Sequence, residues 1–564
     1  MTEQTSRSVP LAPNGSPGAG TLKKNSHGRF CLNYLGADPR ARWLKTLHDA
    51  AFAMVVRRVF ADAVALIPFL VRPRPVERMA NHGPVASPYD APPASALAAI
   101  STHEGTLLVD LDETLYLRNS TEDFIDCARP GLLTLPLLKV LDALEPWRLT
   151  GGIATRDNWR VCAIQIVLPW TRWRWRAKVP FLAEHYVNRE LKAVVEARAE
   201  PPVILTTGFN PIVGPLLAAM GFADAPLIAA RTYSFADLRN GKLRMATRKL
   251  GVETVSRSLF VTDSINDLKV LETCARPLRT LWPQARYVPA LSDIYLPGEY
   301  ISRIKHPGQR YILRGIVQED FAFWLLSSIG LAIAPVTHVA GLLLLLLSFW
   351  AVYERGYVEN DLVAARYEPD PNLSAAFGSV QVATPVVQPW IWALILGAAA
   401  VAILHPDKMG FVVHFARWVA VLILTYVCFV YFNRLDKVTR VWLYPLLQFA
   451  RGAAFVVVVP IVPAGIAALG AHVLSRWMPY QAYRLTPPSA GGWPDLRPDL
   501  VRLISFVLLS LIIVCSFGPS AMLTWSTLAL LLWNMIKARR DIFTALTSAR
   551  RLDRFAGNAE REGL

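Results

Sequence analysis

The sequence predicts two fold classes in series: an α/β unit with a doubly wound parallel sheet and an inserted cap, then an all-α transmembrane helix bundle. Three observations carry this. Short apolar runs that end in polar clusters alternate with helical patterns between Leu97 and Pro289, the signature of a parallel sheet. Long apolar runs repeat through residues 321–537, each near the length needed to span a bilayer. The first apolar run, Leu107-Leu108-Val109, ends in Asp110-Leu111-Asp112-Glu113-Thr114. Two carboxylates one residue apart at a strand end can converge as the chain turns out of the sheet. They repel unless a cation or shared proton lies between them. Mg²⁺, a hard ion with oxygen ligands, suits them.

The elements follow in order. Residues 1–40 are rich in Ser, Gly, Pro and Asn at their start, which predicts a disordered tail. Residues 41–96 hold a charge-interrupted apolar stretch with Arg57, Arg58 and Asp62, then a Pro/Ala-rich linker. That stretch reads as an amphipathic helix rather than a span. The α/β unit covers 97–290, with strands Leu107–Val109, Val203–Leu205 and Leu259–Val261 and helices near Asn210–Met220 and Thr247–Ser256. Residues 116–200 interrupt the alternation and read as the inserted cap. Inside it, Trp and Arg interleave from Trp170 to Lys178. Such a face suits either a membrane interface or a solvated helix end with some buried Trp.

The helical half covers 315–540, with about eight spans near 319–334, 337–354, 387–404, 411–432, 441–459, 461–475, 501–517 and 519–537. Arg451 interrupts one of them and needs a partner, a wet cavity or a short interfacial helix. A basic tail, 541–564, closes the chain. An even span count with charged loops at Glu354–Arg366 and Asn433–Arg440 puts the α/β unit and the C-terminus in the cytoplasm of an inner or plasma membrane protein.

Composition excludes several classes. The formal net charge is +16, which fits positive cytoplasmic loops and attraction to lipid headgroups or phosphorylated substrates. With no basic helix or zinc-finger pattern, nucleic acid is not an expected partner. Six Cys without a CxxC pair argue against zinc and against a disulfide framework. Oligomeric state is not readable.

Further polar groups follow Asp110 and Asp112. Thr206, Thr207 and Gly208 close the second strand; a hydroxyl and free backbone N–H groups there can hold phosphoryl oxygens. Lys242, after Asn240-Gly241, can bring a point charge to phosphate, with Lys249 as its competitor. Asp263 and Asp267, four apart at a strand-to-helix turn, can both reach one metal ion.

These motifs resemble the haloacid dehalogenase superfamily over about residues 105–280, nearest its phosphoserine-phosphatase-like branch. Glu113 departs from the Gly common there. The resemblance implies a phosphatase acting on a phosphate monoester. Asp110 would be the nucleophile that carries an aspartyl-phosphate, and Asp112 the acid and base. Thr206 and Lys242 would hold the phosphoryl group. Mg²⁺ would be bound by Asp110, Asp112 (through its backbone carbonyl) and Asp263, with Asp267 in support. Attachment to lipid implies a lipid-linked or membrane-delivered substrate.

In the helical half, Asn360-Asp361 is followed by Glu368, seven residues after Asp361, expected on one helix face. This weakly resembles the first motif of UbiA-like prenyltransferases, with Ala364 where an Asp is usual. It implies a second candidate site for Mg²⁺ and a diphosphate. Two alternative functions follow: a polyprenyl or phosphoribosyl transferase with an accessory phosphatase domain, and a non-catalytic ligand-binding regulator.

Overall fold

The computed structural model describes residues 86–485 and 497–548, together with the backbone of Lys23–Lys24 and Phe30–Cys31. The chain divides into two compact units, Met1–Ala65 and Leu66–Leu564. In the first, Lys23–Lys24 and Phe30–Cys31 pair antiparallel. The amphipathic helix expected within 41–71 and the tail beyond Ser548 lie outside the described residues.

The second unit holds a five-stranded sheet: β1 Leu107–Val109, β2 Val203–Phe209, β3 Leu227–Ala230, β4 Leu259–Thr262 and β5 Arg276–Arg279. Its order is β3-β2-β1-β4-β5, and every pairing is parallel. β1 and β4 are buried along their length. That is why they read as unbroken apolar runs: a parallel sheet is covered on both faces. Alternation sorts the side chains into two cores. Leu107, Val109, Ile204, Leu259 and Val261 face one side with Phe124, Trp175 and Leu191. Leu108, Val203, Leu205 and Phe260 face the other with Met245 and Val255. Helices therefore cover both faces.

The segment between β1 and β2 is helical where it is regular: Ser120–Asp126, Gly131–Leu144, Arg156–Val167, Thr171–Tyr186 and Arg189–Glu196. The expected Thr247–Ser256 helix is two helices, Phe235–Leu250 and Val252–Arg257. Gly251, at φ 86°, separates them, a left-handed conformation that glycine adopts readily.

Beyond the sheet the chain is helical. Among the described residues, three helices are long and apolar enough to cross a membrane: Pro335–Tyr367, Lys408–Arg434 and Pro498–Phe517. Gln388–Leu404 is apolar but shorter; it packs along Pro335–Tyr367, where Ser348 Oγ donates to Ala393 O at 2.6 Å. The other expected spans fall on different objects. Residues 319–334 coincide with the end of a wide-turn helix, Ile312–Phe321, and the short helix Ala322–Ser328. Residues 441–459 are broken around Tyr444–Ala453. Residues 461–475 fall mostly on the helix Pro463–Leu485, and 519–537 on a short turn, Pro519–Ala521, and the start of the helix Trp525–Ser548. Arg451 sits in the ten-residue Tyr444–Ala453 helix. Its guanidinium meets Asp320 at 2.8 Å and donates to Gly315 O at 2.7 Å.

Candidate active site

β1 and β4 flank the point where strand order reverses, with β2 and β3 on one side and β5 on the other. Open α/β sheets hold ligands at the carboxyl edge there. Asp110 leaves β1 at this edge, its N–H donating to Val261 O at 3.0 Å. One carboxylate oxygen accepts from Leu111 N at 2.7 Å. The other receives Lys242 Nζ at 2.6 Å and lies 2.8 Å from Thr262 Oγ1. Lys242 Nζ also reaches Asp267 Oδ2 at 2.7 Å, and Thr262 Oγ1 lies 2.7 Å from that oxygen. One ammonium thus joins Asp110 and Asp267, and one hydroxyl serves either carboxylate. All four side chains are buried.

Local turns place the remaining groups. Glu113 takes φ 58°, which reverses the chain so that Tyr116 N donates to Leu111 O at 2.8 Å. Asp112, half-buried, accepts from Ser120 N at 2.7 Å. Thr114 Oγ1 accepts from Asp263 N and donates to Asp263 Oδ1, both at 3.0 Å. Thr206 is buried and its Oγ1 accepts from Gly208 N at 2.9 Å. A Cβ at Gly208 would lie 2.7 Å from Val213, 3.2 Å from Thr206 Oγ1 and 3.3 Å from Ser120 Oγ. Glycine therefore lets the second strand end close against the turn that holds Asp112. Lys249 is exposed and donates to Leu227 O at 2.6 Å, so of the two lysines it is Lys242 that reaches the carboxylates. Sequence reading assigned no role to Thr114, Ser120 or Thr262. The two threonines had a signal, each lying inside or beside an Asp motif; Ser120 had none.

The electrostatics follow from crowding. Burial pushes Asp110 up to about 7, against the pull of Lys242, and the charges of Asp267 and Asp263 add to the rise. Burial raises Asp112 to about 6 while its bonds from Ser120 oppose it. Burial and then the neighbouring Asp112 and Asp110 lift Glu113 to about 7. Asp263 rises to about 7 through burial and Glu113. Burial works against the charge of Lys242, but Asp110 and Asp267 hold its pKa above the ordinary lysine value. Five carboxylates face one ammonium, and such a surplus fits a further cation. Among the described residues no three His, Cys, Asp or Glu side chains converge as a ready metal cluster. A Mg²⁺ ion needs fewer, because it keeps several waters and takes carbonyl oxygens.

The residues of the second motif do not form one site. Asp361 is buried and already answered by Lys305 Nζ at 2.5 Å and Tyr300 OH at 2.9 Å. Asn360 donates to Asn433 Oδ1 at 2.9 Å. Glu368 is not on the helix face expected for it: the helix ends at Tyr367 and Glu368 is extended, at φ −89° and ψ 132°. Pro369 follows it, and the residue before a proline is disfavoured in helical conformation. Glu368 instead pairs with Lys437 and Arg440, both at 3.1 Å.

Comparison with family models, with curated proteins and with solved structures finds no match.

Proposed function

We propose that the α/β unit is a Mg²⁺-dependent phosphatase of the haloacid dehalogenase type, anchored in a membrane and acting on a lipid-linked or membrane-delivered phosphate monoester. The observation that carries this reading is Lys242 bridging Asp110 and Asp267 at the end of the central strand, with Asp112 and Asp263 on the adjoining turns. The ammonium of Lys242 aims the Asp110 carboxylate and opposes the rise that burial gives its pKa, so that above about 7 it is ionised, as a nucleophile must be. An Asp110 oxygen attacks phosphorus and the bond to the substrate alkoxide breaks. Asp112 gives that leaving oxygen its proton. Asp112 then takes a proton from water, and the water oxygen attacks phosphorus and frees Asp110. A pKa of about 6 suits a group that gives and takes a proton near neutrality. Thr206 and Lys242 orient the phosphoryl oxygens.

Asp110, the Asp112 carbonyl and Asp263 would hold Mg²⁺, with Asp267 in support. The ion supplies charge neutralisation to a dianionic ester whose uncatalysed hydrolysis is among the slowest known.

The test is phosphate release by the detergent-purified full chain with Mg²⁺, on a panel of polyprenyl and sugar-lipid phosphates, beside Asp110→Asn. Release that falls by about 10⁴-fold or more in the variant supports the reading. Equal release by both proteins sinks the Asp110 mechanism. Binding of phosphorylated ligand with no release favours the regulator. A lipid product lost on Asp361→Asn while phosphate release persists favours the transferase.

A further inference from the structure

The helix Thr171–Tyr186 is apolar on two faces. Trp175, Val179, Leu182 and Ala183 point into the core, and Trp175 Nε1 fixes that orientation by donating to Ile212 O at 3.1 Å. A helix packed this way on a soluble protein turns a polar face outward. Here the outward face carries Trp173, Ala177, Pro180 and Phe181, with one acidic residue, exposed Glu184, at its C-terminal end. Trp173 is 73% exposed and Phe181 52%. At 100° per residue these fall in one stripe. Arg172 and Arg176 border it on one side and Arg174 on the other, all exposed. Exposed Ile166, Val167 and Trp170 extend the apolar surface ahead of the helix. Large apolar groups ringed by cations is the composition of a surface that lies in a lipid headgroup layer.

A separate observation brings the same face to the membrane half. Trp170 Nε1 donates to Arg129 O at 2.9 Å. The Arg129 guanidinium grips both oxygens of Asp293 at 2.9 and 3.0 Å. Gln388 Nε2 donates to Asp293 O at 3.2 Å. Gln388 is the first residue of the apolar helix Gln388–Leu404, and Trp390 lies in its first turn. Tryptophan favours the level where apolar helices meet water. Three contacts therefore join the exposed Trp/Arg face to the starting turn of a membrane-half helix.

We infer that the Trp173–Phe181 face of the inserted segment docks on the surface of the bilayer and prefers anionic lipid. The inference rests on the membrane reading of the apolar helices and is independent of the phosphatase reading. The lipid is recognised by chemistry alone: indole and phenyl rings enter the acyl boundary while three guanidinium groups meet phosphate.

The test uses the full chain in nanodiscs of phosphatidylcholine, with and without phosphatidylglycerol. Benzoylphenylalanine replaces Trp173, or replaces exposed Val252 as a control. Val252 precedes β4 at the amino edge of the sheet. After illumination the expected product is a lipid adduct at position 173, richer with phosphatidylglycerol, and none at 252. A chain-to-chain crosslink at 173 overturns the inference in favour of a second copy, and absence of any adduct there overturns it outright. Changing Arg172, Arg174 and Arg176 to Glu should remove the preference for phosphatidylglycerol, each contributing about fivefold; a preference that persists also overturns it. A chain that does not enter the discs refutes the membrane reading, and this inference with it.

Discussion

Lys242 is the residue on which the site's chemistry turns, because it supplies the ammonium to two buried carboxylates. Lys242→Ala leaves Asp110 and Asp267 facing each other without it. We expect phosphate release to fall by about 10²–10³, and stability by about 3–5 kcal/mol if both carboxylates stay charged. Lys249→Ala should stay within about twofold of the parent in release, since its side chain is exposed and bonds only a backbone carbonyl. The four raised carboxylates make a pH prediction. Their folded pKa values of about 6 to 7 exceed the unfolded value of about 4. The folded state therefore binds protons more tightly, and without a divalent cation stability falls as pH rises from about 4 to about 7. A cation needs those groups ionised, so the rise in Tm on adding Mg²⁺ should be larger at pH 8 than at pH 5. Thermal melts with Mg²⁺ and with EDTA would check it; a larger rise at pH 5 would refute a metal held by these carboxylates. The Asp residues of this site were legible because strand-end carboxylates are rare and their spacing is local. Ser120 was not, since its role arises only when distant turns meet.

At the scale of elements, one glycine positions that lysine. The helix Phe235–Leu250 is kinked at Gly241, which has φ 78° and ψ 175°, a region that glycine alone occupies easily. A methyl there would meet nothing within 4 Å, so its cost is conformational. Gly241→Ala should lower stability by about 1–3 kcal/mol and reduce release more than a surface substitution does; a neutral effect on both would show that the kink does not set Lys242. A second element contact gives an acid limb. Glu122 is buried and paired with Arg160 at 2.6 Å, and it accepts from Ala290 N at 2.7 Å. Burial alone would raise its pKa, but Arg160 and Ala290 carry it below the ordinary glutamate value. Its contribution is complete above that ordinary value and is lost as pH falls through the lower folded one. Glu122→Gln should destabilise the protein at pH 7 and lessen the loss between pH 5 and pH 3, as urea melts would read. The strands β1, β2 and β4 were legible as buried apolar runs. The edge strands β3 and β5 were not: Arg276-Pro-Leu-Arg279 has polar ends and a proline, which an edge tolerates and a sequence pattern reads as a loop.

For the whole molecule, the apolar runs told helix from sheet but not span from buried helix. Of the eight expected spans only three fall on helices long and apolar enough to cross a membrane. Stretches such as 441–459 have the composition of a span, yet they break where Arg451 finds Asp320, a partner 131 residues away. The contact between halves was also beyond the sequence. Glu354 is fully buried and accepts from Tyr295 OH at 2.5 Å, Gly298 N at 2.7 Å and Ile301 N at 2.9 Å. Its helix, Pro335–Tyr367, is 33 residues or about 50 Å long, against a hydrocarbon layer of about 30 Å. Glu354→Gln puts an amide where donors converge, at a cost of about 1–3 kcal/mol. Hydrogen exchange in residues 295–301 should speed up in the variant while that of β1 and β4 stays unchanged; unchanged exchange in both would mean that the bonds do not restrain the segment.

The three bonds on Glu354 bear on how far the carboxylate cluster can travel. A soluble domain on a slack tether sweeps a hemisphere and meets ligands at many distances from its anchor. Here the chain that leaves the sheet at Arg279 is tied at Tyr295, Gly298 and Ile301 to the helix it must follow, and Gln388 ties it to a second. On the membrane reading proposed above, the carboxylate cluster then keeps a set altitude and heading above the bilayer. Ligands would be sorted by stature as well as by chemistry: a phosphate carried at that height is reached, and one held flush with the surface or far above it is not.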